Sequence, residues 1–223
     1  MQVTLSFEKS VGKDVTIMVD VLRASTTITV ALDNFNQVIA VKDKKTAKEL
    51  AKKHDAVLAG ERDGAKIKGF DTGNSPIEIK KFKGKLLILT TSNGTRILEN
   101  IGPISLIGSF INAKAVAKAA TEITHDHIDI VMAGVNGMFA IEDFLGAGEI
   151  ISNLLDYDLD EMALAAYMAS RNEKMVNKAI MDSKSALKLQ KLGYNKDINF
   201  SIKKDIYNYV PIYKEGIIEK FLD

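Results

Sequence analysis

The chain has 223 residues, of which 46% are hydrophobic and 26% charged, and its 30 basic and 29 acidic residues give a formal net charge of +1. A mean hydropathy of +0.00 and the lack of an apolar run near the roughly 20 residues of a bilayer span disfavour disordered and membrane proteins. Because there is no cysteine and only three histidines, disulfides, thiolate nucleophiles and iron–sulfur clusters are excluded, and any metal should be a hard, oxygen-ligated ion.

Short β-branched segments alternate with helical patterns over the first two thirds of the chain. The predicted strands cover residues 15–19, 38–41, 56–59, 86–89, 105–107 and 128–132. The predicted helices cover residues 24–32, 44–53, 95–100, 113–123 and 141–155. The strand segments lack strict alternation of apolar and polar residues, which is typical of strands buried on both faces. The pattern predicts a three-layer α/β/α sandwich whose sheet is mostly parallel or mixed.

The last third of the chain, from about residue 160, is predicted to be mainly helical, through EMALAAYMAS and SKSALKLQKLG. It ends in a tail with few strand signals around Val210 and Pro211. No linker, repeat or low-complexity tract interrupts the chain, so we predict one domain over residues 1–223. The N-terminal MQVTLSFEKS lacks the basic-then-apolar order of a signal peptide, which predicts a cytoplasmic protein.

The small net charge is an average over two stretches of opposite sign. Residues 42–85 contain 13 basic and 7 acidic residues, whereas residues 119–170 contain ten acidic residues and no Lys or Arg. Both can be ordinary solvated helix faces. Alternatively, the two stretches meet at one site, where an anionic substrate binds and carboxylates hold a cation. Because aromatics make up only 7% and no basic stripe interleaves with them, we expect no nucleic-acid partner.

The first of four polar clusters, DVLRASTT, follows the strand predicted at residues 15–19. In open α/β sheets, ligands bind beyond the carboxyl ends of the strands, where loops lead into helix N-termini. Asp20 is therefore a candidate metal ligand or nucleophile. Arg23, Ser25 and Thr26 are candidates for holding an anion at a helix start. Simple capping of the helix by Ser25 or Thr26 is the structural alternative.

The second cluster, GERDG followed by GFDTGNSPIE, is the longest stretch without a regular period. A loop of this length in a compact domain is usually functional. A helix start at NSP accounts for Asn74 and its neighbours, with proline at the first helical position. It does not account for Glu61, Arg62 or Asp71, which are therefore candidate site residues.

The third cluster, TTSNGTR, follows the strand segment LLIL and places hydroxyl, amide, glycine and arginine at a strand-to-helix turn. Such a turn can cradle an oxyanion, and the candidates are Ser92, Asn93, Gly94, Thr95 and Arg96. It is not a Walker loop, because the spacing GxxxxGK[ST] does not occur.

The fourth cluster is AGVNG followed by an acidic pair. Gly134 permits a close approach of the backbone to a ligand, and Asn136 adds an amide. Glu142 and Asp143 supply carboxylates within the stretch that lacks Lys and Arg. Each of these signals is weak when taken alone, but four such turns in a short chain indicate a ligand site.

Together, the motifs resemble the 2-phosphosulfolactate phosphatase family over nearly the whole chain and in the expected order. They are VDVLRASTT, GERDG, GFDTGNSPIE, TTSNGTR, AGVNGMFAIED and the tail LGYNKDINFSIKKDIYNYVP. The resemblance implies a magnesium-dependent hydrolase of coenzyme M biosynthesis. Its reaction would convert 2-phospho-3-sulfolactate to 3-sulfolactate and phosphate.

Residue roles follow from this implied chemistry, because phosphoryl transfer depends on positioning and on neutralising charge with Mg²⁺, arginines and helix N-termini. The expected Mg²⁺ ligands are Asp20, Glu61, Asp71 and Asp143. The expected catalytic residues are Asp20, Arg23, Glu61, Arg62 and Asp143. The small phosphorylated and sulfonated substrate is expected to contact Arg23, Ser25, Thr26, Arg62, Asn74, Ser92, Asn93, Gly94, Thr95, Arg96, Gly134 and Asn136.

Two mechanisms and three function classes stay open at this stage, and a dinucleotide-binding oxidoreductase is the least favoured class because Gly134 and Gly137 do not complete a GxGxxG motif. Either water attacks the phosphorus directly, or Asp20 attacks it to form an aspartyl-phosphate. Because Asp20 is not followed by a second acid two positions on, we favour water. The alternative to an enzyme is a non-catalytic module that binds an anionic metabolite, whose binding would tolerate EDTA. The sequence is also compatible with a homo-oligomer.

Overall fold

The computed structural model describes residues 1–11, 14–98, 101 and 104–221, except for the side chains of Thr95 and Arg96. The strands are β1 (Gln2–Phe7), β2 (Val15–Val19), β3 (Phe35–Ala40), β4 (Val57–Arg62), β5 (Ala65–Lys66), β6 (Gly84–Thr90), β7 (Ser105–Gly108), β8 (His127–Met132), β9 (Asp158–Leu159), β10 (Pro211–Lys214) and β11 (Ile217–Lys220). The helices are α1 (Ala24–Ala31), α2 (Lys44–His54), α3 (Gly94–Leu98), α4 (Ala113–Ile123), α5 (Ile141–Ile151), α6 (Glu161–Ser170), α7 (Glu173–Met181), α8 (Lys184–Lys191) and α9 (Asn195–Ser201).

The predicted strands and helices of the first two thirds are present, with shifts of a few residues at their ends. The helix predicted over 95–100 is α3, and residues 99 and 100 lie outside the described residues. Every residue of β2 is buried, because helices cover both faces of the sheet. Ile17 and Val19 pack in a cluster with α4 and α5, whereas Met18, between them, packs in a second cluster with α1. The predicted α/β sandwich is confirmed.

The described strands form one mixed sheet in the order β5-β4-β6-β3-β11-β10-β7-β2-β8-β1-β9. One parallel block contains β4, β6 and β3, and a second contains β7, β2, β8, β1 and β9. The hairpin β10–β11 lies between the blocks and pairs with each of them in the antiparallel sense. None of the helices in the described ranges has the length and apolar character needed to cross a bilayer.

The prediction of a tail with few strands was wrong. β10 and β11 form a hairpin in the middle of the sheet, with Glu215 and Gly216 at positive φ in the turn between them. Two central residues at positive φ are typical of a tight hairpin whose twist matches that of its strands. The sequence signal was weak because each strand has only four residues and β10 begins with a proline.

The hairpin reverses the direction of one block relative to the other. Three successive antiparallel pairings separate β3 from β7, so the two parallel blocks run in opposite senses. In a flat sheet, the ends of β4 and β6 would therefore lie far from those of β2 and β8. A twist of about 20–25° per strand pair accumulates to on the order of 100° between β6 and β2, which turns the two sets of ends toward each other.

The burial of the hairpin makes a testable prediction about stability. Ile218 is fully buried and pairs with Val38 of β3, whereas Ile206 is 46% exposed. We expect Ile218→Ala to lower the free energy of unfolding by about 2–5 kcal/mol, because it leaves a cavity in the core. The control Ile206→Ala should change it by less than about 1 kcal/mol. Urea denaturation measures both, and similar losses in the two variants would contradict a hairpin at the centre of the sheet.

Candidate active site

A cleft of about 640 Å³ opens where the turns after β2, β4, β6 and β8 meet α7 and α8. Its walls therefore combine the four polar clusters of the sequence with the helical last third. Seven of the predicted site residues line it: Asp20, Arg23, Glu61, Asn74, Ser92, Asn93 and Asn136. The basic stretch of residues 42–85 and the acidic stretch of residues 119–170 both contribute to the cleft, since Glu61 of the first and Glu142 of the second line it.

Asp20 follows β2 directly and is held by the start of α1. Its main-chain N–H donates to Ser25 Oγ at 2.9 Å, and the main-chain N–H of Ala24 donates to Asp20 Oδ1 at 3.0 Å. The other carboxylate oxygen lies beside Gly94, where a Cβ atom would stand 2.9 Å from it and 2.5 Å from the Ala24 methyl group. Glycine is therefore required at position 94, because α3 begins against both Asp20 and α1.

The cleft concentrates negative charge around Asp20. Burial is the main reason why the pKa of Asp20 is raised to about 7; the charges of Glu61 and Glu142 also raise it, whereas the Ala24 amide and Arg23 lower it. Burial also raises the pKa of Asp143 well above its ordinary value, with added repulsion from Asp20 and Glu142. The carboxylates therefore repel one another more than the nearby positive charge compensates.

The charged side chains that line the described part of the cleft also give it an excess of negative charge. Five are acidic, namely Asp20, Glu61, Asp63, Glu142 and Asp182. Three are basic, namely Arg23, Lys184 and Lys188. Since carboxylates outnumber cations, this part of the cleft would repel an anionic ligand unless a further cation entered with it.

Glu61 joins two of the turns that form the cleft. Its Oε2 accepts a hydrogen bond from the Gly64 N–H at 2.7 Å, and its Oε1 accepts one from the Ser92 N–H at 2.6 Å. The side chain is only 6% exposed. Because a carboxylate offers about four lone-pair sites, Glu61 retains acceptor capacity toward the cleft while it fixes the turns after β4 and β6.

Of the two acidic residues at the start of α5, Glu142 lines the cleft and Asp143 lies behind it. Asp143 Oδ1 accepts from the Val21 N–H at 2.8 Å, and its Oδ2 accepts from the Gly134 N–H at 3.0 Å. Asp143 therefore ties the turn after β2 to the turn after β8 and does not line the cleft. Glu142 lines it instead, and no described residue donates a hydrogen bond to its carboxylate.

Arg23 is the buried cation of the cleft. Its Nη1 donates to Asp197 Oδ2 at 2.7 Å, and its Nη2 donates to the Gly64 carbonyl at 2.6 Å. The guanidinium carbon lies 4.5 Å from the centroid of the Tyr194 ring. Asp197 was not predicted, although it lies within the tail motif LGYNKDINFSIKKDIYNYVP. Its pairing with Arg23 spans 174 residues, which no local pattern reveals.

Ser25 and Thr26 stabilise the turn after β2 and do not line the cleft. Ser25 Oγ donates to the Met18 carbonyl at 3.3 Å, and Thr26 Oγ1 donates to the Val21 carbonyl at 3.0 Å. Neither hydroxyl caps α1, because Arg23 occupies the N-cap position without a side-chain hydrogen bond to the helix. The predicted capping of α1 is therefore wrong, because both hydroxyls donate to main-chain carbonyls before the helix. Contact of these residues with an anion stays a prediction.

Arg62 and Asp71 also support the backbone outside the cleft. The Arg62 guanidinium donates to the carbonyls of Glu61 and Lys42, both at 2.7 Å. Asp71 is exposed, and its Oδ2 accepts from the Leu58 N–H at 2.8 Å. Neither residue lines the described part of the cleft.

The remaining candidates lie in the turns after β6 and β8. The Asn136 N–H donates to Asn93 Oδ1 at 3.1 Å, which links the two turns at the cleft. Gly134 has a φ of +61°, and its N–H is bound to a carboxylate behind the cleft. The side chains of Thr95 and Arg96 lie outside the described residues.

The described residues do not form a ready-made cluster of three or more acidic or histidine side chains for a metal. Two features nevertheless fit a hydrated Mg²⁺, which takes one or two carboxylates and completes its shell with water and substrate oxygens. One is the Asp20 carboxylate. The other is Asn74 Oδ1, which is buried in the cleft wall and has no hydrogen-bond partner within the described ranges.

The similarity to known proteins covers almost the whole chain. Residues 3–216 match the sequence model of a family described as 2-phosphosulpholactate phosphatase. The chain is 49% identical over 219 residues to the 2-phosphosulfolactate phosphatase of Methanothermobacter thermautotrophicus, covering 98% of this chain and 95% of that protein. It is 40% identical over 212 residues to the enzyme of that name from Methanocaldococcus jannaschii, covering 91% and 90%. It is 37% identical over 222 residues to the probable 2-phosphosulfolactate phosphatase of Clostridium acetobutylicum, covering 95% and 94%.

The raised pKa of Asp20 predicts how the stability of the protein depends on pH when no metal ion is bound. The folded-state pKa of about 7 exceeds the ordinary value of 3.8, so the folded protein retains a proton that the unfolded chain releases between these values. Stability from this group is therefore lost as the pH rises from about 4 to about 7. Asp20→Asn removes the titration, and its Tm should rise relative to wild type as the pH increases. Thermal melts in EDTA at pH 5, 6 and 7 measure this, and a constant difference in Tm would contradict it.

Proposed function

Because the chain belongs to the 2-phosphosulfolactate phosphatase family, we propose that its cleft hydrolyses 2-phospho-3-sulfolactate to 3-sulfolactate and inorganic phosphate. The observation that carries the proposal is the placement of buried Arg23 beside the carboxylates of Asp20, Glu61 and Glu142 in one cleft. A cation held by carboxylates, together with an arginine, is the arrangement that phosphoryl transfer requires.

The charge of the substrate supports a requirement for Mg²⁺. Phosphate, sulfonate and carboxylate together carry about four negative charges near neutral pH, and the described cleft residues are themselves acidic in sum. Asp20 and Asn74 Oδ1 would hold the ion, and Glu61 would contact its water shell. Bound Mg²⁺ would neutralise charge on the phosphoryl oxygens.

Arg23 would contact the phosphoryl group. Two of its N–H groups are occupied by Asp197 and the Gly64 carbonyl, which fixes the plane of the guanidinium. A guanidinium has five N–H donors, so others remain for phosphoryl oxygens in the cleft. Because the side chain is only 2% exposed, little rotameric freedom is lost when the substrate binds.

For the chemical step we propose direct attack by water. The water oxygen forms the new bond to phosphorus, and the bond between phosphorus and the substrate C2 oxygen breaks. The Glu142 carboxylate accepts the proton from the attacking water, because it lines the cleft and no described residue donates to it. The leaving oxygen takes up a proton from solvent. Asp20 lacks a second acid two positions on, where Leu22 stands, which disfavours an aspartyl-phosphate.

The cellular setting follows from the same proposal. We propose that the protein acts in coenzyme M biosynthesis and in the cytoplasm, as the family resemblance implies. A homo-oligomer is compatible with these roles. A module that only binds the anionic metabolite would retain the substrate in EDTA and release no phosphate.

An assay of phosphate release tests the phosphatase activity, the role of Asp20 in holding Mg²⁺ and the role of Glu142 as proton acceptor. We expect wild type to release phosphate from 2-phospho-3-sulfolactate, to lose this activity in EDTA and to regain it with added Mg²⁺. Asp20→Asn should lower kcat by about 10²–10³ and raise the Mg²⁺ concentration needed for half-maximal rate. Glu142→Gln should lower kcat by about 10²–10⁴ without changing the Mg²⁺ requirement.

Asp71→Asn is the matched control, since Asp71 is exposed and outside the cleft. It should retain nearly the full rate. Absence of phosphate release by wild type at any Mg²⁺ concentration would refute the enzyme proposal, and full activity in EDTA would refute the metal requirement.

Rapid quenching tests the attack by water. Acid quenching during a single turnover, followed by mass measurement of the intact protein, should show only the unmodified mass. A species heavier by one phosphoryl group in wild type, absent in Asp20→Asn, would establish the aspartyl-phosphate route instead.

A further inference from the structure

One wall of the cleft comes from the helical last third of the chain and carries Lys184 and Lys188 beside one carboxylate, Asp182. Lys184 and Ser185 are the first residues of α8, and both line the cleft. The N-cap Ser183 accepts a hydrogen bond from the Ala186 N–H at 3.1 Å, which fixes the start of the helix beside the cleft. We call Ser183, Lys184 and Ser185 the α8 wall. It offers an ammonium group and a hydroxyl to a ligand.

Lys184 differs from the other two cations that line the described part of the cleft. Arg23 is paired with Asp197 at 2.7 Å, and Lys188 is paired with Asp63 at 2.8 Å. Lys184 has no carboxylate partner among the described residues. An ammonium group in this position can bind an incoming anion without first breaking an ion pair.

The distribution of charge orients a substrate with several anionic groups. Asp20 and Glu142 repel any anion that is not accompanied by a cation. Of the anionic groups of the substrate, only the phosphoryl group, neutralised by the metal ion and by Arg23, is therefore suited to their side of the cleft. A sulfonate or carboxylate cannot be accommodated there as a second anion without further neutralisation. The α8 wall offers the remaining positive charge.

We propose that Lys184 determines specificity by binding the anionic group of the substrate that is not transferred, a sulfonate or a carboxylate. The inference rests on the proposed phosphatase function and extends it to the substrate class. Lys184 contacts this group in the bound substrate and takes no part in breaking the phosphate ester. Its removal therefore weakens substrate binding and leaves kcat nearly unchanged.

Three substrates and one matched control test the proposal. Lys184→Gln removes the charge, and Lys191→Gln removes a charge from the same helix at a position that does not line the cleft. The substrates are 2-phospho-3-sulfolactate, 2-phospholactate without the sulfonate, and 1-sulfopropan-2-yl phosphate without the carboxylate. We expect Lys184→Gln to raise KM for the full substrate about tenfold, with kcat within a few-fold of wild type. Lys191→Gln should match wild type on all three.

The truncated substrates identify the group that Lys184 binds. If it is the sulfonate, Lys184→Gln and wild type should have the same KM for 2-phospholactate. If it is the carboxylate, they should agree on 1-sulfopropan-2-yl phosphate. If Lys184→Gln leaves KM for the full substrate unchanged, or raises KM equally for all three substrates, the proposal is overturned. In either case the effect of Lys184 on KM would not depend on the sulfonate or the carboxylate.

Failure of the phosphatase function can be told apart from failure of this inference. If wild type releases no phosphate from any of the three compounds, calorimetric titration with 3-sulfolactate replaces the kinetic assay. Weaker binding by Lys184→Gln than by Lys191→Gln would then support the α8 wall as an anion subsite. Equal affinities of the two variants would overturn it.

Discussion

The buried ion pair between Arg23 and Asp197 connects three regions that are distant in sequence. Arg23 lies in the turn after β2 and also donates to the carbonyl of Gly64, next to β5, while Asp197 in α9 also accepts from the hydroxyl of Ser75. Burial of two charges is unfavourable unless the partners are close and their remaining polar atoms are bonded. The short contact and the bonds to Gly64 and Ser75 meet part of that condition, and the remaining N–H groups of Arg23 are those proposed to bind the phosphoryl group. The geometry of the cleft therefore depends on α9 as much as on the strands.

Negative charge is the second constraint on the site. The fold buries Asp20, Glu142 and Asp143 close enough for their charges to interact, and it holds Asp143 with two backbone N–H groups. Repulsion among such carboxylates opposes folding at neutral pH, and a bound cation relieves it. The same repulsion would favour binding of the proposed divalent ion together with an anionic substrate.

The sheet brings these residues together through an arrangement that the usual rule for parallel sheets does not cover. That rule places ligands at one shared carboxyl edge, but the hairpin β10–β11 makes the two parallel blocks run in opposite senses. The turns after β4 and β6 nevertheless line the same cleft as those after β2 and β8, and the twist that a sheet accumulates over several strands favours this approach. A short C-terminal hairpin thereby influences the geometry of a cleft in which Asp20, Glu61 and Glu142 come from the first two thirds of the chain.

The sequence by itself determined the elements and the chemistry available at their ends. Buried β-branched segments predicted the strands, and polar turns predicted Asp20, Arg23 and Glu61 at one site, because both signals are local. The tertiary structure alone decided the central hairpin, the pairing of Arg23 with Asp197, and which member of the pair Glu142 and Asp143 faces the cleft. Neighbouring residues of a helix point in directions about 100° apart, and strands pair across long loops. Side-chain direction and partner choice therefore depend on how distant segments pack, which no local pattern contains.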